Sequence, residues 1–284
     1  APGANLRAYT KSFEGDTTGS DCAIGQWGRG YSDLALLIED ALNDGVDVIT
    51  TSSSYPSDYE GMRWALARAI AAKVPVVACT GNDSTRNSTE WLPAWGGVVG
   101  VGAIETNGRP SDYQNWGRPL STVALARPLA RSGVSQERGE WWGTSFATPV
   151  VASSLALSMQ RWPRATGNQI MQGLARTGVG GNGGEWNQYT GYGALDIYAM
   201  LTTNPTSFPD ENPFMDKGTN TVPSRQDVQD YIDGVVDPRV VMNDNSYEYL
   251  GFDERLALSR EHGYPTHLGT SPRYHQKFQS QKKN

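Results

Sequence analysis

An α/β fold with a mainly parallel sheet flanked by helices is what residues 1–202 predict. Three observations carry it. Short β-branched runs alternate with stretches of helical period, the runs at 74–78 and 98–103 are almost wholly apolar, and turn residues punctuate the changes. Continuous apolar runs suit strands covered on both faces, which is the condition of a parallel sheet between helices.

The elements follow in order. Leu6–Thr10 reads as a short strand, and a loop rich in Gly and Asp comes after it. Ser32 is a suitable N-cap for a helix carrying Leu34, Leu37, Ile38, Ala41 and Leu42, and Gly45 stops it. Val46–Thr50 is a β-branched strand. Ser57 and Glu60 have capping-box spacing ahead of a helix with Met62, Leu66 and Ile70. Val74–Ala78 and Val98–Ala103 supply two more strands. Ala147–Ala152 opens a buried helix with Pro149 expected in its first turn, where a missing N–H removes no bond.

From Thr203 the texture changes to Asn, Asp, Gly and Pro, the mark of irregular chain, with one short helix expected from Asp253 to Glu261. The organisation is therefore an α/β domain over 1–202 and an irregular extension over 203–284, expected to pack on the domain or on a partner.

Composition narrows the function. Hydrophobic residues make up 38% of the chain and charged residues 19%, which suits a packed core rather than wholesale disorder. A net charge of −6 speaks against a nucleic-acid partner, which selects a basic face. No run of about 18 apolar residues occurs, so no membrane span is expected. The opening APGANLRAY lacks a leader pattern and reads as the inside of a domain. Cys22 and Cys79 have no metal-ligand spacing; two separate structural thiols or one long-range disulfide are both compatible with them. Asn82-Asp83-Ser84 and Asn87-Ser88-Thr89 match the glycosylation sequon, a weak signal without a secretory route. No cofactor or metal is expected: Asp244, Glu248 and Glu254 offer oxygen ligands for calcium but fit no EF-hand loop.

The chemistry centres on Gly143-Thr144-Ser145-Phe146-Ala147-Thr148-Pro149. Ser145 stands among small residues at the start of a helix, whose N-terminus brings partial positive charge to the place where an oxyanion would form. The plainer alternative is that Thr144 or Ser145 only caps the helix. Asn82 follows a buried strand and could aim a side-chain N–H at that oxyanion, or simply make a turn. Val48–Ser54 runs from a strand into small polar residues, a segment that could take an extended peptide as an added strand.

With these pieces in this order the chain resembles the subtilisin-like (subtilase) serine proteases. The resemblance rests on GTSFATPVVAS at 143–153, VVACTGND at 76–83 and DVITTSSS at 47–54. It extends to VVGVGAIETNGRPSDYQNWG at 98–117 and TGYGALDIYAM at 190–200. It implies Ser145 as nucleophile, Asn82 as the oxyanion-hole donor, and Ser52, Ser53 and Ser54 as the substrate-binding edge. It also puts Gly81 and Asp83 near the pocket for the residue before the scissile bond, where the acid would favour a basic side chain. Peptides or proteins are the implied substrates. The compartment stays open, with export favoured by the resemblance alone.

The family's Asp and His motifs do not precede GTSFATP. All three histidines, His262, His267 and His275, lie in the extension. A serine without a base is a poor nucleophile. The leading expectation is that a second polypeptide carries the Asp/His portion and the central strand that goes with it. The alternatives are a pseudoprotease serving as a structural or protein-binding component, and a permuted chain whose tail supplies the base.

Overall fold

The computed structural model describes residues 3–9, 33–52, 59–89, 91–127, 129–131, 138–181, 183–218 and 221–232. The chain divides into two compact units. One comprises Ala1–Asn5, Asp47–Tyr55 and Lys73–Val222; the other comprises Leu6–Val46, Pro56–Ala72 and Pro223–Asn284.

In the first unit, β1 (Ile49–Thr51), β2 (Val76–Cys79), β3 (Val99–Ile104) and β4 (Thr122–Leu125) form a parallel sheet in that order. Ile49 lies opposite Val76, Val77 opposite Val99, and Val101 opposite Thr122. All of β2 and the first five residues of β3 are buried, as their apolar runs require. The long helix α3 (Thr144–Arg161) touches all four strands. Its Ala147, Val151 and Leu155 join Val77, Val99 and Val101 in one core, with Ile170, Met171 and Leu174 of α4 (Gly167–Thr177). Each of these Val, Leu, Ile and Met side chains contributes about 1.5–3 kcal/mol through its removal from water. Thr166 caps α4 in a capping box with Gln169. Gly100 is required in β3, because a Cβ there would stand 2.0 Å from the Pro119 carbonyl oxygen. The hairpin of β5 (Leu129–Arg131) and β6 (Arg138–Glu140) runs up to the residues before α3.

After α5 (Ile197–Thr202) the chain continues as a strap on the same unit. Asn212 Nδ2 donates to the Gly97 carbonyl at 2.9 Å, and the Gly97 and Gly96 amides donate to the carbonyls of Phe214 and Val222 at 3.0 and 2.8 Å. The Phe214 side chain is buried in the core.

The second unit holds α1 (Asp33–Asn43), α2 (Tyr59–Ala71) and α6 (Arg225–Ile232), with α2 packed against both others. Trp64, Ala67 and Tyr231 form its small core. Two ion pairs brace it, Arg68 with Glu39 and Arg63 with Asp227, the former almost wholly buried.

Three expectations change. Residues 6–9 form no strand, and Leu6 is 90% exposed, since no described strand lies beside it to complete a ladder. The extension contains a regular helix, α6, held at its start by Ser224 and Asp227: the Ser224 amide and hydroxyl donate to Asp227 Oδ2 at 2.7 and 2.9 Å. Pro149 is the sixth residue of α3 rather than a first-turn residue, because the helix begins at Thr144. The helix expected at Asp253–Glu261, Ser32, Ser57, Cys22, the three histidines and the candidate calcium ligands all lie outside the described residues.

Candidate active site

Of the residues singled out in the sequence, Ser52, Gly81, Asn82, Asp83 and Ser145 meet at the carboxyl ends of β1 and β2 and the N-terminus of α3, where ligands of open parallel sheets gather. β2 ends at Cys79, and Thr80, Gly81 and Asn82 follow it out of the sheet. Gly81 has φ +97°, and a Cβ there would lie 2.3 Å from Asn115 Nδ2, so the turn that delivers Asn82 needs glycine.

Asn82 is oriented by Thr144. Its Oδ1 accepts the Thr144 amide at 2.9 Å and the Thr144 hydroxyl at 3.1 Å. With both bonds on the oxygen, the amide orientation is fixed and the Nδ2 donors are left for another acceptor. The Thr144 hydroxyl also accepts the Gly81 amide at 3.3 Å, which closes the link between β2 and α3. Gly143, at φ +128°, lies against the Asn82 amide, and its N–H donates to the Tyr113 hydroxyl at 3.2 Å.

Ser145 is half-buried between the buried Thr144 and the half-buried Phe146. Its carbonyl would bond the amide of residue 149 in an uninterrupted helix. Residue 149 is a proline, and the Ser52 hydroxyl donates to that carbonyl instead, at 2.8 Å. Ser52 in turn uses its own carbonyl to accept the buried Cys79 thiol at 3.4 Å. Ser52 is thus an anchor of the serine's backbone, while Ser53 and Ser54 lie outside the described residues. Asp83 is exposed, with Oδ2 accepting Asn115 Nδ2 at 3.3 Å.

Sequence reading did not single out Thr144 as the partner of Asn82, nor Asn115. Buried Asn115 accepts the amides of Asp83 and Thr85 at 3.0 and 2.9 Å and so shapes the loop after β2. Two aromatic pairs involve the residues next to Gly143 and Ser145 in the chain: Trp142 lies 5.0 Å from Tyr113, and Trp141 lies 6.3 Å from Phe146. Among the described residues, no three His, Cys, Asp or Glu side chains converge as a metal site would require.

A parallel sheet, a central helix opening at a serine and an asparagine at the neighbouring strand end are the architecture of a subtilisin-like α/β serine peptidase domain. A model of the Subtilase family matches residues 13–193, and the chain belongs to that family. It is similar to Subtilisin DY of Bacillus licheniformis, with 30% identity over 172 residues, 60% of this chain and 62% of that protein. Subtilisin E of Bacillus subtilis strain 168 is 29% identical over 203 residues, 70% of this chain and 49% of that protein. The chain therefore spans about half to three-fifths of these relatives. Among solved structures, MycP1 without its N-terminal propeptide shares the fold at a TM-score of 0.54 and 23% identity, over 63% of this chain and 68% of that one. Fervidolysin from Fervidobacterium pennivorans does so at a TM-score of 0.52 and 22% identity, over 62% of this chain and 29% of that one.

Proposed function

We propose that the chain contributes the nucleophile and oxyanion donors of a serine endopeptidase acting on peptide or protein substrates. The observation that carries this reading is the pair of bonds from Thr144 to Asn82 Oδ1, which leaves Asn82 Nδ2 as a preorganised donor next to the Ser145 helix N-terminus. The Ser145 hydroxyl attacks the scissile carbonyl. Asn82 Nδ2 and the Ser145 amide hold the developing oxyanion, and an acyl-enzyme forms as the amine leaves. On the family resemblance Ser52, Ser53 and Ser54 are assigned to the substrate-binding edge, and Gly81 and Asp83 to the pocket before the scissile bond. The Asp83 carboxylate favours a basic side chain in that pocket.

The base and its orienting carboxylate come from a second polypeptide that packs beside β1 and the exposed Pro149–Val150 surface of α3. Two observations support this: residues 1–261 hold no histidine, and Val150 is 38% exposed beside the exposed Pro149 on a helix whose opposite face is buried. Fluorophosphonate labelling of the native preparation tests both parts. The expected result is a label on Ser145, absent in Ser145→Ala, on material that also contains an Asp- and His-bearing polypeptide. Labelling and hydrolysis by residues 1–284 alone would overturn the second-polypeptide reading and point to a tail histidine. No labelling of the intact native assembly would overturn the peptidase reading in favour of a protein-binding module. Cleavage of matched Arg and Leu peptides tests Asp83, and a Leu preference would sink its assigned role.

A further inference from the structure

Lys217 is a primary amine for which the peptidase chemistry has no use. It sits on the strap that follows α5, where its Nζ donates to the Pro119 carbonyl at 3.1 Å and to Ser121 Oγ at 2.9 Å. The Phe214 ring centroid is 5.8 Å away. Lys217 lines a cavity of about 60 Å³ together with Arg118, Ser121, Trp186, Tyr192 and Phe214. One water needs roughly 10–15 Å³ by this measure, so several non-hydrogen atoms fit. Arg118 brings a permanent positive charge, its guanidinium lying 5.0 Å over the Trp186 ring.

Desolvation takes the Lys217 amine down to about 7 against the pull of the Asp216 carboxylate. Near neutral pH a large share of molecules therefore carries a free lone pair there, compared with roughly one in two thousand for an ordinary lysine. The other titratable groups of the cavity are Arg118, Asp216 and Tyr192, whose phenol is pushed up by burial and stays neutral.

We propose that Lys217 is a covalent site for a small anionic aldehyde, held as an imine with its anionic group against Arg118. The Nζ lone pair attacks the carbonyl carbon, and the carbonyl oxygen takes up a proton as the C–N bond forms. The first proton comes from Nζ itself; the hydroxyl takes a second from solvent and leaves as water while C=N forms, giving the protonated imine. The step is a condensation and needs no oxidant or reductant. The N–H of the protonated imine keeps Ser121 Oγ as its acceptor.

The test is reductive trapping on the folded full chain at pH 7, with glyoxylate and cyanoborohydride, mapped by peptide mass spectrometry. Lys217 is expected to be labelled at least about tenfold faster than Lys73. Acetaldehyde, which lacks the anion, should show a smaller preference for Lys217, and Arg118→Met should abolish the difference between the two aldehydes. Labelling of Lys217 at the Lys73 rate overturns the nucleophile. Equal preference with both aldehydes in the unsubstituted protein overturns the anion site, whether or not the variant folds.

Discussion

The hydroxyl of Ser52 donates to the carbonyl of Ser145 at 2.8 Å. Pro149, one helical turn on, has no N–H to offer that oxygen. The backbone of the proposed nucleophile is therefore tied to the end of β1 by a side chain, where a regular helix would have tied it to itself.

Removing that tie should misplace Ser145 with little change to the fold. Ser52→Ala is expected to reduce kcat/KM of the active assembly by about tenfold, the equivalent of one neutral hydrogen bond of roughly 1.4 kcal/mol. Pro149→Ala restores a helical N–H donor, so Ser52→Ala should cost less in that background. A double-mutant cycle measures the coupling, and strictly additive effects would contradict the assignment.

Asn82→Asp keeps the oxygen that Thr144 holds and removes the Nδ2 donor. The expected result is a fall in kcat of about 10²–10³ with KM nearly unchanged, a magnitude carried over from loss of a single oxyanion donor in subtilisin. Pre-steady-state acylation rates report it directly. A fall confined to KM would move Asn82 out of the oxyanion hole.

In the second unit, Glu39 faces the buried Arg68 guanidinium, which also reaches Asn43 Oδ1 at 2.7 Å. Glu39→Ala leaves a cation in a site closed to water and should destabilise this unit by about 3–5 kcal/mol. Urea unfolding followed by Trp64 fluorescence is the measurement. A loss below about 1 kcal/mol would mean that water reaches the pair.

Lys217 predicts a stability change with pH. Its folded value, about 7, lies below the ordinary lysine value of 10.5. Below pH 7 both folded and unfolded chains hold the proton, and the cost of burying the charge is fully present. Between 7 and 10.5 only the unfolded chain holds it, so the contribution of this group to stability rises with pH. Chemical denaturation from pH 6 to 9.5 should show the unsubstituted protein gaining on Lys217→Met across that window. Parallel curves would refute it.

Much of this was legible from composition along the chain. The strands at 76–79 and 99–104 are apolar because both faces are covered, and periodicity reports that directly. Ser145 and Asn82 stood out because small residues and strand ends leave a readable pattern. The bonds that orient them did not. Thr144 reaches Asn82 across 62 residues and Asn115 reaches Asp83 across 32, and no local rule encodes such a pairing. Pro149 was misplaced because the helix start is set by Gly143 at φ +128°, ahead of the apolar residues from which its period was counted. α6 was missed for a different reason. Its Ser224-to-Asp227 capping spacing is readable, but it stands inside a tail whose overall composition suggested irregular chain.

The strap also sets an order of events during synthesis. The strands, α3 and both donors to the proposed oxyanion site leave the ribosome well before Asn212, Phe214 and Val222 can reach Gly96 and Gly97. Those contacts span more than a hundred residues, so they close late, as distant contacts do. Until then a nascent chain carries its prospective nucleophile on an unfinished scaffold, and a polypeptide cut just after residue 193 would stay in that state.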